Sequence, residues 1–130
     1  MNLAISVYGS NQTHQASLSA LRFARAAVAK GHQVSRVFFY QDGVYNGNGF
    51  AAPPQDEEDV VDGWREFARA NESELMVCVA STLRRGVIDE AEAERYEKTG
   101  SNLTKPFQIA GLGQLIDSAL EADRLVTFGA

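Results

Sequence analysis

The sequence predicts an α/β fold: a three-layer α/β/α sandwich around a mainly parallel sheet of about five strands. Short apolar runs rich in β-branched and aromatic residues alternate with segments whose apolar residues recur at helical spacing. Glycines and polar clusters punctuate that alternation. No repeat, second domain or low-complexity tail interrupts it.

Leu3 to Val7 reads as the first strand, apolar apart from one small serine. Gly9-Ser10-Asn11-Gln12-Thr13 breaks it, and Gln15 to Lys30 reads as a helix. Leu18, Leu21, Ala24 and Val28 give that helix one apolar face, and Gly31 is a suitable stop. Val34 to Tyr40 is the second strand. Gln41 to Pro54 is a long irregular stretch, a length uncommon inside compact domains unless functional or disordered. Val44, Tyr45 and Phe50 punctuate its glycines and argue against a free linker. Asp56 to Ala70 fits a helix with Val60, Val61, Trp64, Phe67 and Ala68 turned inward. Glu74 to Ala80 is the third strand, Ser81 begins a short helical turn, and Asp89 to Lys98 suggests a very polar helix. Beyond the loop at Ser101-Asn102-Leu103, Phe107 to Ala110 is a brief strand or extended segment. Leu112 to Ala122 is a helix offering Leu115, Ile116, Ala119 and Leu120 to the core, and Arg124 to Phe128 is a closing strand.

A chain of 130 residues suits one domain over 1–130, large enough to bury a core without staples. A single cysteine excludes an intrachain disulfide, and two histidines beside it make a poor zinc inventory, so no metal site is expected. Met1 to Val7 lacks the basic start and cleavage site of a signal peptide. No apolar run approaches the roughly 20 residues that span a bilayer. A reduced, cytoplasmic protein is the expectation. The net charge of −5 argues against broad attraction to nucleic acid or anionic membranes. Asp56-Glu57-Glu58-Asp59 and the acids from Asp89 to Glu94 read as solvated helix starts that complement the macrodipole.

In open parallel sheets, ligands and reactive groups gather outside the carboxyl ends of the strands. Gly9 to His14, Gln41 to Pro54 and Cys78 to Gly86 all fall there. The first invites a phosphate-loop reading, yet it fits neither the dinucleotide fingerprint nor the Walker pattern. An ordinary strand-to-helix turn with a Ser or Thr cap accounts for it. His14 reads as part of that helix start, and His32 at a helix end is explained by the dipole.

Two readings stand for Cys78. In the run Leu75-Met76-Val77-Cys78-Val79-Ala80 a free cysteine can be an ordinary core residue. A helix starting near Ser81 would instead direct N–H groups toward the strand end, and Arg84 or Arg85 would add positive potential. Both influences favour thiolate over thiol. Against this, the two arginines can equally face solvent or bind acidic neighbours. No second cysteine supports a C-x-x-C exchange.

Several segments, taken in order, resemble one family. They are Gly31-His32, Val37-Phe38-Phe39-Tyr40, Asp42-Gly43-Val44-Tyr45-Asn46 and Cys78-Val79-Ala80 with Leu83-Arg84-Arg85-Gly86-Val87. Ser101-Asn102-Leu103 and Gly111-Leu112-Gly113 complete the series. Over nearly its whole length the chain resembles the DsrE/TusD family of sulfur-relay proteins. The resemblance implies a DsrE-like fold and a sulfurtransferase that carries sulfur covalently as a persulfide on Cys78, with no separate cofactor. It implies a heterohexamer with TusB- and TusC-like subunits, a TusA-like donor, a TusE-like acceptor, and 2-thiolation of tRNA wobble uridine. Direct nucleic-acid binding is not expected. Ser81, Arg84, Arg85, Tyr45 and Asn46 would support the thiol, with subunit packing as the competing role for Tyr45 and Asn46. Val44, Tyr45, Phe50 and Phe107 are candidates for subunit contacts or for the domain's own core. A DsrE-type role in sulfur oxidation, a non-catalytic nucleotide- or small-molecule-binding module and a purely structural subunit remain the alternatives.

Overall fold

The computed structural model describes all 130 residues. Five strands form one parallel sheet: β1 (Asn2–Val7), β2 (Gln33–Phe39), β3 (Glu74–Cys78), β4 (Gln108–Ala110) and β5 (Arg124–Phe128). Their spatial order is β4-β3-β2-β1-β5. Five α-helices join them: α1 (Ala16–Ala29), α2 (Val60–Asn71), α3 (Val79–Arg85), α4 (Glu90–Arg95) and α5 (Leu112–Glu121). The sandwich expected from the sequence is therefore the observed α/β architecture.

Strand periodicity divides the core unequally. Leu3, Ile5, Val7, Val37, Phe39, Leu75 and Val77 point to the face covered by α1 and α2, where the larger cluster gathers around fully buried Trp64. Phe39 meets Trp64 edge-on at 5.4 Å and Phe107 at the same distance. Residues of the opposite parity, Phe38, Met76 and Cys78, make a smaller cluster closed by Tyr40, Ala110 and Leu115 of α5. The sulfur thus lies on the face opposite the main core.

Local chemistry fixes the helix ends. Beyond α1, Gly31 takes a left-handed conformation (φ 91°). The His32 N–H donates to the Ala27 carbonyl and the Gly31 N–H to that of Val28, a complete Schellman motif. Asp59 caps α2 by accepting the Asp62 N–H, and Asp89 caps α4 by accepting that of Glu92. Each acid run thus leads into a helix, as charge patterning suggested, although Glu92 in the second is buried rather than solvated.

Several boundaries differ from the sequence reading. The helix assigned from Asp56 begins at Val60, because its side-chain cap is Asp59. The third strand ends at Cys78 rather than Ala80, since Val79 and Ala80 already belong to α3. The polar helix assigned to Asp89–Lys98 is helical only from Glu90 to Arg95. Part of the long irregular stretch, Gln41–Gly47, is a 3₁₀ helix. The expected Ser or Thr cap before α1 is absent: Gln15 holds that position without a side-chain bond, and Ser17 Oγ donates to the Gly9 carbonyl. Of the residues assigned to the core, Ala119 is exposed, and Ile116 and Leu120 are 61% and 78% exposed. Arg36 on β2 donates to the Gln114 carbonyl and to Ser118 Oγ, which turns the Gln114–Leu115–Ser118 side of α5 to the sheet and leaves Ile116 and Leu120 outside.

Candidate functional site

Cys78 is the last residue of β3 and the amino-terminal flank of α3. Its side chain makes no capping bond and is 2% exposed. The thiol stands at the carboxyl edge of the sheet, as the sequence suggested, but beneath a cover rather than open to approach. Tyr40, Ala110 and Leu115 pack against the cluster that Cys78 forms with Phe38 and Met76 and so cover it.

The 3₁₀ turn after β2 frames the site from one side. Gln41, in a left-handed conformation (φ 51°), donates its N–H to Ser81 Oγ at 3.0 Å. Asp42 accepts from Arg85 Nε at 2.7 Å, while Arg85 Nη1 donates to the Ser81 carbonyl at 3.2 Å. Ser81 and Arg85 are thus clamps that fix α3, and hence the end of β3, against the turn. Asn46 serves the same turn from the other side: fully buried, it donates to Ser17 Oγ at 2.9 Å and to the Gly43 carbonyl at 2.8 Å. Its contacts lead to α1 and the Gly9 carbonyl, so it braces the frame rather than facing sulfur. Tyr45 is half-buried on the same turn. Val44 and Phe107 belong to the domain core, whereas Phe50 is 74% exposed.

The two arginines separate. Arg85 is half-buried and engaged with Asp42; Arg84 is exposed with no carboxylate within ion-pair distance. Arg85→Ala removes a partly exposed ion pair and one bond to a backbone carbonyl. The expected cost is about 1 kcal/mol, read as a shift in urea midpoint at unchanged slope. Sequence reasoning missed Asp42 as the arginine's partner and Leu115 as part of the thiol's cover. Asp42 lies 43 positions from Arg85, so no local signal joined them; helical spacing turned Leu115 toward the core but did not bring it to the thiol.

The Gly9–His14 turn is packed on its own helix. Ser10 Oγ accepts the Gln12 N–H, and a Cβ placed at Gly9 would stand 3.1 Å from Ala16 Cβ. No group of three or more His, Cys, Asp or Glu side chains is arranged to hold a metal ion. No helix is long and apolar enough to cross a membrane.

The five-stranded parallel sheet with its helices is an architecture that known proteins share. The model of the DsrE/DsrF-like family matches residues 1–128, and the chain belongs to that family. A DsrE protein of Allochromatium vinosum is 48% identical over 129 residues, covering 99% of both chains. Sulfurtransferase TusD of an Enterobacter species is 48% identical over 128 residues, covering 98% of this chain and all of its own. A TusD homologue of Pseudomonas aeruginosa is 49% identical over 114 residues, covering 88% of this chain and 87% of its own. The crystal structure of the ychN protein from E. coli superposes with a TM-score of 0.79 at 21% identity, covering 98% of this chain and 99% of that one; it shares the fold. With full-length identity at this level, the protein is a sulfurtransferase of the DsrE/DsrF-like family.

Proposed function

We propose that Cys78 carries sulfur as a persulfide, accepting it from a TusA-like donor and passing it to a TusE-like acceptor for 2-thiolation of tRNA wobble uridine. One observation carries the reading: the only thiol of a sulfurtransferase-family chain lies at the carboxyl edge of its parallel sheet. The Cys78 thiolate attacks the terminal sulfur of a donor persulfide. A sulfur–sulfur bond forms to Sγ, the donor's own sulfur–sulfur bond breaks, and the donor leaves as a thiolate. Sulfane sulfur changes carrier without net oxidation or reduction, so no separate cofactor is called for. Hand-off to the acceptor thiolate repeats the exchange with Cys78 as leaving group.

On this reading the protein works in the cytoplasm, within a heterohexamer that includes TusB- and TusC-like subunits. Cover residues Tyr40, Ala110 and Leu115 then move as a partner docks, because a thiol this buried cannot meet another protein's cysteine in place. The DsrE relative, equally similar, favours a second reading with the same chemistry and a sulfur-oxidation pathway. Incubation with a persulfide donor is expected to add about 32 Da to the intact chain, mapped to Cys78 and removed by reductant. Absence of that adduct after full exposure to a TusA-like protein donor, whose docking lifts the cover, overturns the relay. Restoration of 2-thiouridine in a TusD-deficient strain separates the tRNA pathway from sulfur oxidation.

A further inference from the structure

Beyond Arg84 the surface opens into a cleft of about 710 Å³ between α3 and the segment that follows α4. Leu83 and Ile88 are partly buried in it, and Phe50 and Tyr96 (51% exposed) rise from its rim. Two cations line it, Arg84 and Lys98, both exposed and both without a carboxylate partner. Their neighbours differ: Arg85 is paired with Asp42 and Arg95 with Glu92. The backbone N–H groups of Thr99, Gly100 and Ser101, also in the lining, donate to nothing within the chain. Apolar walls, two free cations and a run of unused donors form a surface complementary to an apolar side chain beside a carboxylate.

We propose that this cleft binds an acidic peptide segment of the sulfur-exchanging partner. An apolar side chain lies between Phe50 and Tyr96, and the carboxylate lies on Arg84, Lys98 and the N–H groups of Thr99 to Ser101. The assignment rests on the relay reading, because Arg84 follows Cys78 by six helical positions, about 9 Å of helix rise. A segment seated here brings its protein alongside the thiol. Cations with aromatics also suit single-stranded nucleic acid. Here Glu97 stands in the wall and the chain is acidic overall, an arrangement that tolerates one seated carboxylate but repels a polyphosphate track.

The test uses the full chain, kept reduced, and a fluorescein-labelled, amidated peptide Ser-Leu-Asp-Glu-Leu-Gly, followed by anisotropy. Arg84→Glu, Lys98→Glu and Tyr96→Ala are each expected to weaken binding about tenfold, as is replacing the peptide's acids by their amides. Arg95→Glu, outside the cleft, is expected to leave binding unchanged. Undetectable binding to the parent chain, equal affinity for acidic and neutral peptides, or indifference to Arg84→Glu and Lys98→Glu overturns the proposal. So does tighter, Arg84-dependent binding of an oligouridylate, which makes the cleft a nucleic-acid site. Sulfur loading of Cys78 from a small-molecule persulfide is read in parallel by intact mass. Lys98→Glu and Tyr96→Ala, both outside α3, are expected to load normally, and their failure to load means that the fold around Cys78 is disturbed, which also overturns the assignment. If the parent chain binds peptide but never loads, the relay reading fails and the cleft stands as a binding site alone.

Discussion

Cys78→Ser is expected to abolish sulfur acceptance while leaving a folded protein. The hydroxyl matches sulfur in position but is a poor nucleophile toward sulfane sulfur, and no second cysteine can substitute. Its stability cost is separable from its chemistry. Phe38, Met76, Tyr40, Ala110 and Leu115 surround the site, so a buried hydroxyl there meets apolar groups and loses about 2 kcal/mol. Thermal unfolding then moves down by about 6 °C without losing cooperativity. Cys78→Ala, which buries no polar atom, is expected to cost about 1 kcal/mol and to be equally inactive. Mass spectrometry after donor treatment and a thermal melt of all three proteins decide the matter. Labelling of either variant to the parent's extent would transfer the chemistry elsewhere.

The second large effect concerns Gly43. A Cβ there would overlap the Val7 carbonyl oxygen, which already accepts the Tyr40 N–H at the end of the β1–β2 pairing. Backbone against backbone cannot yield as a side-chain tip can, so Gly43→Ala must displace the 3₁₀ turn. With it go the Gln41–Ser81, Asp42–Arg85 and Asn46–Ser17 bonds. Overlap and lost bonds together are expected to cost about 4 kcal/mol. The folded fraction should also load sulfur poorly, because α3 loses its frame. Gly113→Ala is the matched control: its Cβ meets open space within α5, and a gain of about 0.5 kcal/mol is expected. Denaturant midpoints compare the pair, and equal stability of Gly43→Ala and the parent removes the close approach from the account.

How much of this was legible in the chain depends on the range of the interactions involved. Short apolar runs and helical spacings locate four strands outright, mark the fourth of the five as a strand or extended segment, and locate most of the helices, because they are local records of burial. They fail at Val79-Ala80, where two apolar residues suit a strand or a buried helix equally, and only the hydrogen-bond change after Cys78 decides. The Gln41–Gly47 helix left no periodic trace, since it is held by the approach of Gly43 to Val7 and by the bond between Asn46 and Ser17. Arg84 and Arg85 are indistinguishable as neighbours in sequence. One meets an aspartate 43 positions away and the other meets none. The place of the thiol along the sheet was readable; its cover was not, because Leu115 arrives from the far end of the chain.

That cover bears on what happens between two transfers. Sulfane sulfur on an exposed cysteine is open to any passing thiol or oxidant, and a relay that leaked in this way would lose its load before delivery. On the proposed relay, a Cys78 persulfide sealed under Tyr40, Ala110 and Leu115 would be a protected store whose lifetime is set by how seldom the cover lifts. Small reductants and the correct acceptor would then differ less in intrinsic reactivity than in their right of entry, so fidelity belongs to the packing around the sulfur.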